Sequence, residues 1–226
     1  ASSDKVKKVQ KDFEATHVRP QRLMKTLFTD EAYVKANVDE ARLMRRLFDL
    51  ACNMQSHDTD MQLYSLFTDE ECYDLWSCNN LYWYLTHACS PVTDGLMPYR
   101  EADLLRNILD RADAALKEGK NQATLRFGHE SCLLPLVALL ELNHYGESYP
   151  DVEKLSEQWR AYDIFPMASN VQFVFFHKKG SNDVLVKVLL NEKEAKLPVK
   201  TDVAPYYHWK DVESYYREKL DKYQHI

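Results

Sequence analysis

The stretch "ATLRFGHESCLLPL", residues 123–136, sets Arg126, His129 and Glu130 between two apolar runs. Arginine offers a permanent charge and a fork of donors that matches a phosphate. Histidine hydrogen-bonds a phosphoryl oxygen, or holds positive charge when protonated. A neighbouring glutamate has the chemistry of a general acid toward a leaving oxygen. A strand running into glycine, then polar groups, then a helix start is a recurrent layout for anion chemistry. Gly128 lets the backbone turn, and the first helical turn supplies unpaired N–H groups at the positive end of a dipole. A plain structural reading stands beside this one: a solvated arginine at a strand end, a glutamate favoured by the helix dipole, and a histidine making a structural hydrogen bond. Spacing leaves both open but excludes two alternatives. A nucleophile elbow needs serine where His129 or Glu130 stands, and an H-E-x-x-H zinc site fails because Leu133 occupies the second histidine's place.

The elements that must position these residues change character along the chain. "DEARLMRRLFDLACNM" places Leu43, Leu47, Leu50 and Ala51 on one helical face. Thr68 and Glu71 have the capping-box spacing at the head of "TDEECYDLWSCNNLYWYL". A loop with Pro91, Gly95 and Pro98 follows, then an amphipathic helix through Leu104, Leu105, Ile108, Leu109, Ala112 and Leu116 that stops at Gly119. From Asn121 the texture is mixed. "ATLRF" reads as a short strand. Leu133 to Leu142 reads as a buried helix that tolerates Pro135 only in its first turn. "NVQFVFFHKK" and "DVLVKVLLNE" read as a hairpin around "GSND", and "HWKDVESYYREKLDKY" as a closing helix. The architecture expected is a helical region of about 120 residues followed by strands and helices.

Composition narrows the partners. With 226 residues, 45% hydrophobic and 28% charged, the chain has the makings of a sizeable core. A net charge of −6 argues against wholesale attraction to nucleic acid or anionic membrane, while leaving room for a local basic pocket. No apolar run is long enough to span a bilayer. The five cysteines, Cys52, Cys72, Cys78, Cys89 and Cys132, lack CxxC spacing and read as buried free thiols rather than a zinc site. His87, His144, His177 and His208 show no metal-ligand pattern, and the aromatic pieces "NLYWYL", "FVFFH" and "APYYHW" read as core.

"LRFGHESCLLPL" resembles the second signature of the histidine acid phosphatases, closest to the bacterial histidine-type phosphatases near the multiple inositol-polyphosphate phosphatases and phytases. "LFTDEECYDLWSCNNLYWYLTHACSPVTDGLMPY" and "DVLVKVLLNEKEAKLP" are similar to the corresponding family segments, so the likeness runs over about residues 20–220. It implies an α/β fold: the phosphoglycerate mutase-like sheet with helices, here partial, with residues 1–120 as an inserted all-α cap and residues 121–226 as the C-terminal part of the phosphatase core. It also implies hydrolysis of phosphate monoesters, inositol polyphosphates among them, without cofactor or metal. By position, His129 contacts the transferred phosphoryl group, Glu130 protonates the leaving alkoxide, and Arg126 falls beside the substrate. Many relatives carry aspartate at the Glu130 position and some use H-A-E, so this carboxylate stands one methylene further out than Asp.

The family's chemistry also needs a nucleophilic histidine in an R-H-G-x-R-x-P segment. The sequence has none, and its nearest lookalike, "HVRP" at His17–Pro20, reads as a loop before a helix. The chain, opening at Ala1 without methionine, thus reads as the portion of a phosphatase that follows the nucleophile, inactive alone. An unpaired sheet edge is then expected to take the missing N-terminal half or a second copy. Arg42, Arg45, Arg46 and Arg100 are candidates for contacts with outer phosphates. The resemblance implies an exported or periplasmic location. The competing reading is a non-catalytic phosphate- or protein-binding module on the same fold.

Overall fold

The computed structural model describes residues 2–120 and 122–223, so Asn121, where the change of texture was placed, lies outside the described residues. The chain forms two compact units, Ala1–Tyr82 and Trp83–Ile226.

The first unit is helical: α1 (Ser2–His17), α2 (Gln21–Leu27), α3 (Glu31–Asn37), α4 (Glu40–Asn53) and most of α5 (Asp69–His87). Short polar residues start these helices by accepting from orphan amides. Asp30 accepts from the Tyr33 N–H and Asp39 from the Arg42 N–H. Thr68 and Glu71 close the expected reciprocal box, with the Thr68 N–H on Glu71 Oε2 at 3.0 Å and the Glu71 N–H on Thr68 Oγ1 at 3.2 Å. The buried face of α4 differs from the one expected. Met44 and Ala51 are its buried residues, whereas Leu50 is 52% exposed. The stripe is rotated because Met44, two turns before Ala51, takes the centre of the face. "HVRP" is the join between α1 and α2, where Arg19 holds Glu70 and Asp74 at 2.8 and 2.5 Å.

The second unit carries the end of α5, α6 (Ala102–Glu118), α7 (Glu130–Leu139), two single turns α8 (Leu155–Gln158) and α9 (Ala161–Ile164), strands β1 (Val171–His177), β2 (Val184–Leu190), β3 (Lys193–Glu194) and β4 (Tyr207–His208), and α10 (Trp209–Tyr223). Gly119 ends α6 at φ +66°, a conformation that favours glycine. The expected hairpin forms: β1 pairs antiparallel with β2 in unbroken register from Val171↔Leu190 to His177↔Val184, and β3 and β4 pair with the other edge of β2.

Helix α7 is the centre of this unit. Its sequence is apolar all round, and Leu134 to Leu140 are all buried. Each large aliphatic side chain there is worth about 1.5–3 kcal/mol of transfer free energy. Leu105 and Leu109 of α6, Val186 and Val188 of β2, and Val212, Tyr216 and Leu220 of α10 complete the core. Arg217 of α10 ties Asp110 and Asp113 of α6, at 2.9 and 2.8 Å, and Trp209 donates to Asp113 at 2.8 Å.

Two expectations about this region are corrected. The helix begins at Glu130 rather than near Leu133, so Pro135 lies in its interior and removes the N–H that the Ser131 carbonyl would accept. Residues 122–129 form no strand. "ATLRF" has the composition of one, but a strand exists only as a ladder, and no described strand pairs with it. All five cysteines are free, yet only Cys78 is fully buried, while Cys132 is exposed.

Candidate active site at the head of helix α7

Residues 122–129 leave the end of α6 and cross exposed to the start of α7. Side chains tie this segment to α6. Gln122 donates to the Ala115 carbonyl at 3.2 Å, and Arg126 Nη2 donates to Asn107 Oδ1 at 2.8 Å. Arg126 is therefore held close to α6 while its remaining donors face outward. Gly128 has no positive φ, and a Cβ there would meet nothing within 4 Å. The turn expected of it is not made.

His129 takes the N-cap position of α7 in extended backbone, φ −109° and ψ 162°, and its side chain makes no capping bond. Its carbonyl accepts from the Cys132 and Leu133 amides at 3.0 and 3.1 Å. Glu130 is the first helical residue. Both side chains are exposed, and neither enters a hydrogen bond or ion pair among the described residues. The first amides of α7 thus lack a side-chain acceptor, and the positive end of the helix faces solvent together with a carboxyl and an imidazole.

A buried histidine stands behind this pair. His87, the last residue of α5, lies against the Trp83 ring at 4.7 Å between centroids, with Nδ1 2.7 Å from Thr86 Oγ1. Burial holds its imidazole below the ordinary value and Arg100 adds to that, while Glu130 pulls the other way. Arg100 belongs to a short 3-10 turn, Met97–Glu101, that packs on α7. Its closest carboxylate is that of Glu101, a loose 4.0 Å away. Arg100 and Glu130 thus act on the same imidazole with opposite signs. Arg45 is committed to Glu14 and Arg46 to Asp49 within the first unit. Nothing in the sequence pattern marked His87, because its approach to the site is made by packing. Among the described residues, no group of three or more His, Cys, Asp or Glu side chains could hold a metal ion. No described helix is long and apolar enough to cross a membrane.

The helix head and His129 can contact an anion, and Glu130 can give or take a proton, while Arg126 is drawn to Asn107 of α6. Known proteins similar to this chain are named as phosphatases. The sequence profile of the "Histidine phosphatase superfamily (branch 2)" matches residues 2–191. Human multiple inositol polyphosphate phosphatase 1 is 28% identical over 134 residues, covering 54% of this chain and 27% of that protein. The Bifidobacterium longum multiple inositol polyphosphate phosphatase, solved with phosphate, superposes with a TM-score of 0.64 at 20% identity over 80% of this chain and 40% of that one. Its complex with inositol hexasulfate gives 0.62 at 22% identity, over 78% of this chain and 38% of the other. The chain therefore spans less than half the length of these relatives.

Proposed function

The chain belongs to the histidine phosphatase superfamily, branch 2, and from that premise we propose that it carries the proton-donor half of a phosphomonoesterase active site. The nucleophilic histidine, in this reading, lies on polypeptide outside these residues. The observation that carries the proposal is the exposed His129–Glu130 pair at the uncapped head of α7. A histidine nitrogen attacks phosphorus, and the P–O bond to the alcohol breaks with its electron pair on oxygen. The Glu130 carboxyl gives that oxygen its proton. The carboxylate then accepts a proton from water, whose oxygen attacks the phosphohistidine and releases inorganic phosphate. His129 and the helix head hold the transferred group. Densely anionic esters such as inositol polyphosphates suit a site with Arg126 and Arg100 at its margin, in keeping with the named activity of the relatives.

The test measures phosphate release from inositol hexakisphosphate and from an aryl phosphate, by this chain alone and by its full-length gene product. The chain alone is expected to be inactive. In the active protein, Glu130→Gln is expected to cost about 10²–10⁴-fold on the alkyl ester and far less on the aryl phosphate, whose leaving group needs no proton. His129→Ala should slow both. Equal losses on the two substrates for Glu130→Gln would remove the proton-donor role. One observation favours a second reading, a non-catalytic binding module: the 226 residues contain no R-H-G-x-R-x-P segment. Binding of inositol hexakisphosphate by a full-length product without turnover would select it.

A further inference from the structure

His208 ends strand β4 with a carboxylate at each of its ring nitrogens. Nδ1 lies 2.9 Å from Asp183 Oδ2 and 3.1 Å from Asp183 Oδ1, and Nε2 lies 2.9 Å from Asp202 Oδ1. Asp183 belongs to the turn between β1 and β2, and Asp202 to the loop 195–206 that leads into β4. A neutral imidazole has one N–H and one lone pair, so it serves only one of these acceptors, whereas the imidazolium donates to both. The two carboxylates meet opposite nitrogens of one ring and so flank a proton rather than converge on a shared ion. Both strengthen its hold on that proton. The other charged groups on the surrounding elements have their own places. Lys187 of β2, the strand on which β4 pairs, sits 3.2 Å from Glu194 and over the Tyr206 ring at 5.6 Å. His177 of β1 has its Nε2 2.8 Å from the Ser181 carbonyl, and Lys210 and Asp211 follow His208 on α10.

We propose that His208 is a pH-operated clasp: as imidazolium it ties the β1–β2 turn to the loop 195–206, and on losing a proton to solvent it releases the Asp202 arm. The two arms differ in a way that decides which one opens. Asp183 presents both oxygens to Nδ1 and its side chain is 50% exposed, whereas Asp202 offers one oxygen and is 84% exposed. Water replaces the more exposed contact at lower cost. The proton that leaves is therefore the one on Nε2, and a lone pair then faces the Asp202 carboxylate. The consequence is local, because the base of the loop is fastened without His208. Thr201 donates to the Tyr206 carbonyl at 2.7 Å, and the Leu197 N–H donates to the Tyr207 hydroxyl at 3.0 Å. The tip, residues 202–204, loses its tie to the β1–β2 turn, while the Tyr206 ring stays against Phe176 of β1 at 5.1 Å. None of this depends on the phosphatase reading.

Proton and nitrogen NMR of this chain, followed from about pH 5 to about pH 9, tests the clasp. The His208 ring should titrate with a midpoint above the free value of about 6.5. Backbone order parameters of residues 202–204 should fall from about 0.85 to below about 0.6 through that same midpoint. Two substitutions sort the arms. In Asp202→Asn the side-chain amide can accept from the protonated ring or donate to the neutral one, so the tip should stay ordered across the whole range. In Asp183→Asn the tip should still open, at a lower pH, since one of the two charges that hold the proton is gone. A tip that keeps its order through the His208 midpoint overturns the proposal and reduces the contacts to a static ion pair. An opening step that survives undiminished in Asp202→Asn overturns it too, as does a His208 midpoint at or below the free value.

Discussion

At the C-terminal end of α7, the carbonyls that the helix cannot satisfy are taken by α10: Tyr216 donates to Leu140 at 2.8 Å and Lys219 to Leu139 at 2.6 Å. Lys219 also pairs with Glu141, at 3.0 Å. At the other end no such provision exists. His129 holds the N-cap position without capping, and it stands exposed with Glu130 at the head of the helix. Both ends belong to one buried helix and face the same demand for partners. One end is finished with stability in mind. The other leaves its donors and its dipole exposed, as the proposed phosphate-binding role requires.

The largest effect that could break this comparison is on stability. Tyr216 is fully buried, so Tyr216→Ala should cost about 3–5 kcal/mol in urea unfolding, by loss of packing and of a hydrogen bond. Glu130→Gln, at the exposed end, should stay within about 0.5 kcal/mol of the parent. Comparable losses from the two substitutions would mean that the ends are not divided between folding and chemistry.

The division was partly legible in the sequence. Thr68 with Glu71, Gly119 and the β1–β2 hairpin are governed by neighbours a few residues away, and each formed where the local pattern put it. His129 and Glu130 were legible as a polar break ahead of a buried helix, although that helix starts at Glu130 itself rather than near Leu133. What failed depends on distant chain. "ATLRF" has strand propensity, but propensity cannot supply the neighbouring strand that makes a ladder. The face of α4 turned toward Met44 because the surrounding helices, not periodicity, decide which of several apolar residues is covered. His87 feels the field of Glu130 across a long stretch of sequence, which no spacing rule records.

A smaller effect sharpens the same comparison. If the head of α7 is left uncapped for function, supplying a cap should stabilise the protein. His129 already has the extended backbone of an N-cap residue. His129→Ser should therefore gain about 0.5–2 kcal/mol in urea unfolding while removing phosphatase activity from the full-length product. A loss of stability would show that the His129 side chain has a structural role the geometry does not reveal.

The smallest effect is a pH dependence, in which two histidines act with opposite signs. His87 sits below its ordinary value of 6.5, chiefly through burial and then through Arg100. Between that lowered value and 6.5 the unfolded chain binds more protons than the folded one, so the full stability is present above 6.5 and declines as pH falls toward the folded value. His208 is the reverse. Its Nδ1 lies 2.9 Å from Asp183 and its Nε2 2.9 Å from Asp202, and both bonds raise it. The stability it confers is complete below 6.5 and is lost as pH rises through the folded value. Asp202→Asn should weaken the second dependence and leave the first. Proton NMR titration of the His87 ring then reads the open end of α7 directly. Its midpoint should fall further in Glu130→Gln, which removes a field that favours the imidazolium, and rise in Arg100→Gln. A His87 midpoint that ignores both substitutions would detach this histidine from the head of the helix and leave Glu130 without the electrostatic neighbour that the packing gives it.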